Sequence, residues 1–159
     1  MRWVILIAVL ILKVPVYAQT VKNAHNCRSQ LEKANLDNEM GNYLSALLRF
    51  DSCLISCSTG MSGIDINAGK ARALNGLEKY PEAISAAEAA LQLAHNNCPA
   101  ALTERALANF SLGNPAEAKA DYNQLEDLSS KAKDRKKKAI LLLGMARLNW
   151  QNEDIPLAF

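Results

Sequence analysis

The side chains in this sequence most able to do chemistry are four cysteines, Cys27, Cys53, Cys57 and Cys98, and two histidines, His25 and His95. Thiolates form disulfides, hold soft metal ions or attack electrophiles, and compartment and neighbours decide which. Four cysteines allow three fully paired connectivities, and their spacing alone does not choose among them. The sharper alternative is a metal site built from His25, Cys27, Cys53 and Cys57. It lacks the Cys-x-x-Cys pair that structural zinc sites commonly carry, so no metal is expected. Neither histidine stands in a recognisable arrangement with Ser, Cys or a carboxylate. His95 falls in the last turn of a predicted helix, where an imidazole suits the helix dipole. No GxSxG, phosphate-binding glycine loop, HExxH or paired catalytic carboxylates occur. The expectation is a protein with neither catalysis nor a cofactor.

Compartment bears on the thiols. Met1 and Arg2 precede an unbroken apolar run from Trp3 to Leu12, then Lys13 and Val14-Pro15-Val16-Tyr17-Ala18. This is the pattern of a secretory signal cleaved after Ala18. The run is too short for a bilayer core of about 30 Å, which takes about 20 residues of helix. Gln19-Thr20-Val21 follows the cut, with no cysteine to carry a lipid. The expected location is periplasmic or extracellular, with no stable membrane span after cleavage, and such a setting favours disulfides over metal.

Cleavage also changes the charge. The chain holds 18 Lys plus Arg against 16 Asp plus Glu. Arg2 and Lys13 lie in residues 1–18, which contain no acid, so 16 basic residues then face 16 acidic ones. A neutral chain carries no field that would draw nucleic acid, and none is expected as a partner. Lys131, Lys133, Arg135, Lys136, Lys137 and Lys138 form a basic run without interleaved aromatics. It reads as a solvated helix face with Glu126 and Asp127 as local counter-charges.

Apolar residues recur at helical spacing, as in Leu44, Leu47, Leu48 and in Ala83, Ala87, Ala90, Leu91. No run alternates as a strand would, so the chain reads as all-α. Breaks fall at Gly41-Asn42, at Ser58 to Gly63, at Glu78 to Pro81, at Asn96 to Pro99 and at Gly113 to Pro115. Pro81, Pro99 and Pro115 each suit the first turn of a helix. The pattern is one of stacked helical hairpins with short connections.

The hairpins repeat. Gly41-Asn42-Tyr43-x-x-Ala46-x-x-x-Phe50 matches Gly113-Asn114-Pro115-x-x-Ala118-x-x-x-Tyr122, with Lys79-Tyr80-x-x-Ala83-x-x-x-Ala87 between them. The small residues Ala46, Ala83 and Ala118 stand 37 and 35 apart. A small side chain lets two helix backbones approach, and an aromatic one turn later fills the gap to the next hairpin. Such a unit cannot bury its apolar face alone and must stack on copies of itself.

These residues resemble the tetratricopeptide repeat family, over about residues 24 to 128. The matches are Ala34, Gly41, Tyr43, Ala46 and Phe50, then Ala71, Tyr80, Ala83 and Ala90, then Ala106, Gly113, Ala118 and Tyr122. The resemblance implies a right-handed superhelix of antiparallel hairpins, with about three repeats plus a partial fourth. The expected segments are a signal (1–18), a short extension (19–23), unit one (24–57), a loop (58–63), unit two (64–97), unit three (98–128), and a basic linker with a long helix and an incomplete fourth unit (129–159).

The resemblance further implies a concave groove, lined by the first helix of each unit, that takes a peptide or partner protein. Mapped here, that groove carries Arg28, Asn35, Asn38, Arg72, Asn75, Phe110, Arg147 and Trp150, with Leu31, Glu39, Asp65, Ala68, Thr103 and Leu107 beside them. Cys27 opens unit one and Cys57 closes it, so a Cys27–Cys57 disulfide is expected. Cys53 and Cys98 remain as buried thiols or a second bridge. The function implied is that of an exported scaffold. The alternative is the N-terminal helical-repeat part of a larger envelope receptor, secretion component or enzyme, with the active part outside this sequence.

Overall fold

The computed structural model describes residues 27–57 and 61–133. Arg147, Trp150, His25 and the expected leader lie outside them. Among the described residues six helices follow one another: α1 over 27–39, α2 Tyr43–Cys57, α3 Met61–Gly76, α4 Tyr80–Leu93, α5 Pro99–Ser111 and α6 Pro115–Lys131. The expected loop over 58–63 is shorter than its sequence suggests, because α3 already begins at Met61. No strand occurs among the described residues, and none of their helices is long and apolar enough to cross a membrane.

The helix starts use proline rather than a side-chain cap. The residues before α4, α5 and α6 are Lys79, Cys98 and Asn114, and none caps its helix through a side-chain hydrogen bond. Each of these helices has proline in its first two positions. That ring presets φ and removes an N–H that would have no intrahelical acceptor.

The hairpin turns repeat atom for atom. The N–H of Asn42, Lys79 and Asn114 donates to the carbonyl five residues back, on Asp37, Leu74 and Asn109, at 2.8, 2.9 and 2.8 Å. The preceding residue of each turn lies in the left-handed region: Gly41 at φ 78°, Glu78 at 58° and Gly113 at 78°. This is the Schellman stop, which closes a helix with one left-handed residue.

Packing within and between hairpins follows the small residues. Ala46 and Ala83 are fully buried, and Ala118 nearly so. The rings of α2 seat on α3. A Cβ on Gly69 would overlap the Phe50 ring, and one on Gly76 would overlap Tyr43. Phe50 and Tyr43 are two turns apart on α2, as Gly69 and Gly76 are on α3, so the antiparallel pair meets ring against glycine twice. The aromatic therefore fills the gap between neighbouring hairpins, as its spacing predicts. Phe50 packs in one core with Ala34, Ala46, Cys53, Ile66 and Ala73. A second core joins α3 to α6 and is built mostly of alanine, with Leu74, Leu91, Leu102, Leu107 and Leu125.

Candidate protein-binding face

On α1 the buried positions Ala34 and Asn38 define one side, and Arg28, Asn35 and Glu39 fall on an exposed side about 100° round the helix. On α3 the exposed strip is narrow. Asp65 is exposed and Arg72 half-buried, seven residues apart and thus on one stripe about 10 Å long. Partial burial pushes the Asp65 carboxyl above its usual range. Arg72 makes no ion pair among the described residues. Arg28 is already held by Glu32, at 3.1 Å on the same exposed helix face. The open face of α1 and α3 thus offers amides and carboxylates around one uncommitted guanidinium.

Two asparagines expected on this face lie elsewhere. Asn38 is 2 % exposed, and its Nδ2 donates to the Gly69 carbonyl at 2.8 Å. Asn75 Nδ2 donates to the Glu104 carbonyl at 2.8 Å and to Glu104 Oε2 at 2.9 Å. Each ties the first helix of one unit to the first helix of the next. They are the joints of the array rather than its lining. The signal was present in the sequence, because Asn38 and Asn75 each stand eight residues before the small residue of their unit.

The third unit offers less than expected. Thr103 and Leu107 are buried and Phe110 is half-buried, because α5 is covered on almost every side. Thr103 Oγ1 turns back on its own helix, donating to the Pro99 carbonyl at 2.9 Å. Asn109, the one residue in a formal glycosylation sequon, is also buried.

The thiols divide. Cys53 and Cys98 are buried and free, so the second bridge does not form. Burial pushes both thiols up. At Cys98 the N–H groups of Ala101 and Ala100 offset part of that effect, and the Asp65 charge adds to it. Neutral buried thiols are poor nucleophiles. The side chain of Cys57 lies outside the described ones. His95 differs from expectation. The helix ends at Leu93, and His95 sits beyond it at φ 49° in the turn, donating its N–H to the Gln92 carbonyl at 3.3 Å. At the start of the basic run, Lys131 pairs with Asp127 at 2.6 Å, as a solvated helix face would.

No protein-family model matches the chain, and no curated protein does. Among solved structures it is similar to a tetratricopeptide-like protein of Chlorobium tepidum TLS, determined by crystallography at 2.54 Å. The TM-score is 0.66 at 22 % identity, over 83 % of this chain and 98 % of that one. Repeated stops, small residues at the helix crossings and this likeness agree on one fold: an all-helical, tetratricopeptide-like stack of hairpins.

Proposed function

We propose that this chain is an exported scaffold without catalysis of its own, which holds an extended peptide or a partner protein on the open face of α1 and α3. The observation that carries the reading is Arg72. A half-buried guanidinium without an ion-pair partner among the described residues is poorly solvated and uncommitted, so an incoming carboxylate gains a charge-assisted, bidentate pair there. Asn35 supplies an exposed amide able to meet a peptide backbone. The fold itself favours protein partners, and the buried thiols offer no nucleophile.

The test is a pull-down from the cell envelope with the native chain, Arg72→Ala and Asn35→Ala. Partners captured by the native chain should be lost by Arg72→Ala and weakened by Asn35→Ala, with unchanged circular dichroism. If both variants retain every partner, the groove assignment is wrong. Recovery of the chain from the cytoplasm with residues 1–18 attached would overturn export.

An exported chain can carry a Cys27–Cys57 bridge. Two facts support it: Cys53 and Cys98 are free thiols, and Cys27 is not among the free ones. Closing a loop of about 30 residues would add roughly 3 kcal/mol. Mass spectrometry of non-reduced peptides should find Cys27 joined to Cys57, and four free thiols would sink the pairing.

A further inference from the structure

The second helices of the three hairpins occupy equivalent places, and their outer faces can be compared position by position. Leu44 corresponds to Pro81 and Ala116, Leu48 to Ser85 and Ala120, and Ile55 to Gln92 and Asp127. All nine positions are exposed. The repeat therefore requires nothing apolar there, and α4 and α6 place little there. On α2 the three residues are 62, 64 and 89 % exposed and form one stripe, opposite buried Ala46, Phe50 and Cys53. Leu36 and Met40, more than half exposed, precede the same hairpin turn that Leu44 follows.

We propose that this stripe is the interface with a second copy of the chain, two α2 helices packing antiparallel about a two-fold axis. The stripe is self-complementary in that sense. Running the helices in opposite directions with Leu44 against Ile55 of the other copy places the axis between Arg49 and Phe50 in the chain, so each Leu48 lies within half a turn of the axis and within one turn of its counterpart. An isologous contact of this kind needs only one patch. The five exposed side chains present on the order of 600 Å² of largely apolar surface, the upper end for a monomer's largest patch and close to the ~800 Å² each partner gives to a standard interface.

Charge favours the same occupant. The nearest charges on α2 are already neutralised within the chain, Arg49 by Asp37 at 2.8 Å and Asp51 by Lys70 at 2.6 Å. The helix that carries the stripe therefore brings no unpaired charge to the contact. Residues 19–159 carry 16 basic and 16 acidic side chains, so no long-range repulsion keeps copies apart. A lipid surface fits less well. An interfacial helix sets lysines and arginines along its polar face, whereas α2 has only Arg49, already paired.

The experiment is sedimentation velocity on the purified full chain over a wide concentration range, repeated with Leu48→Glu and with Ser85→Glu. The native chain should sediment as a dimer that dissociates on dilution. Leu48→Glu should weaken association by more than about a hundredfold, because two buried carboxylates then face each other across the axis. Its circular dichroism should be unchanged, as should its melting at dilutions where the native chain is monomeric, since residue 48 is solvent-exposed in the single chain. Ser85→Glu, at the equivalent place on α4, should leave the dimer intact. A native chain that is monomeric throughout overturns the proposal. So does a dimer indifferent to Leu48→Glu, or one broken equally by Ser85→Glu. Binding of a monomeric chain to phosphatidylcholine vesicles, lost in Leu48→Glu, would assign the stripe to lipid instead. Partner capture by Leu48→Glu should be unchanged, and the dimer should survive Arg72→Ala, so the stripe and the groove fail or stand separately.

Discussion

The two joints of the array solve the same packing problem with opposite side chains. At the first, a large ring on α2 meets a residue with no side chain on α3: Phe50 seats on Gly69. At the second, the equivalent of Phe50 is Ala87, and the equivalent of Gly69 is Glu104. The register is confirmed by the asparagine clasps, since Asn38 bonds the carbonyl of Gly69 and Asn75 that of Glu104. Bulk has moved from one helix to the other, and the joint has changed from apolar to polar. Glu104 is buried, and its carboxylate accepts a second bond from Asn75. Small-residue spacing thus sets where helices cross, while the volume at each crossing is free to sit on either side.

The strongest way to break the contrast is Phe50→Ala. The ring is fully buried, so its removal should cost about 3–5 kcal/mol in urea unfolding. Gly69→Ala should cost about 1–3 kcal/mol by overpacking, although alanine favours a helix by about 1 kcal/mol over glycine. In the Phe50→Ala background the same change should become neutral or stabilising. A Gly69→Ala effect of the same size in both backgrounds would show that the ring and the glycine do not share a volume.

The clasps should differ next. Asn38→Ala removes one neutral bond, worth about 0.5–1.5 kcal/mol. Asn75→Ala removes a charge-assisted bond to a carboxylate as well, so its cost should be larger, about 1.5–3 kcal/mol. Equal losses would mean that the carboxylate contact adds nothing.

A third effect should be read from pH, because the first hairpin carries an acid-sensitive clip. Ser45 Oγ and Arg49 Nε each donate to Asp37 at 2.8 Å and hold its carboxyl below the usual range. A depressed carboxyl contributes stability above its unfolded value of about 3.9 and loses it as pH falls through the folded value. The gap in urea midpoint between the native chain and Asp37→Asn should be constant above about pH 5 and close below about pH 4. A gap unchanged at acid pH would remove the clip from the account.

What the sequence made legible follows from what is intrinsic to a residue type. Ala46, Ala83 and Ala118 announce helix crossings because only small side chains fit there, and Pro81, Pro99 and Pro115 announce helix starts because φ is fixed. Which face of a helix stays open is a property of its neighbours. Thr103 and Leu107 have the right spacing for a groove, yet α5 is covered almost all round and buries them. Asn38 and Asn75 look like peptide ligands by type, but the next unit's carbonyl lies where a ligand would be. The ring-on-glycine seam was readable in principle: Tyr43 and Phe50 are spaced by seven, as are Gly69 and Gly76. It was missed because a glycine inside a helix draws attention only once its facing residue is known.

The smallest expected effect concerns the turns, where the three units should be alike and are not. The left-handed position is glycine at 41 and 113 but Glu78 in the middle turn, at φ 58°. A side chain in that region costs about 1–2 kcal/mol, since Cβ crowds the following carbonyl. Glycine removes that strain but gives the unfolded chain more freedom, which returns about 0.4–1 kcal/mol. Glu78 is exposed and takes no part in an ion pair among the described residues, so nothing else is lost with it. Glu78→Gly should therefore raise stability by up to about 1 kcal/mol, whereas Gly41→Ala and Gly113→Ala should each lower it, strained despite open space around the new Cβ. If Glu78→Gly instead destabilises the protein, the middle turn is held by the glutamate side chain, and the equivalence of the three stops is one of backbone shape alone.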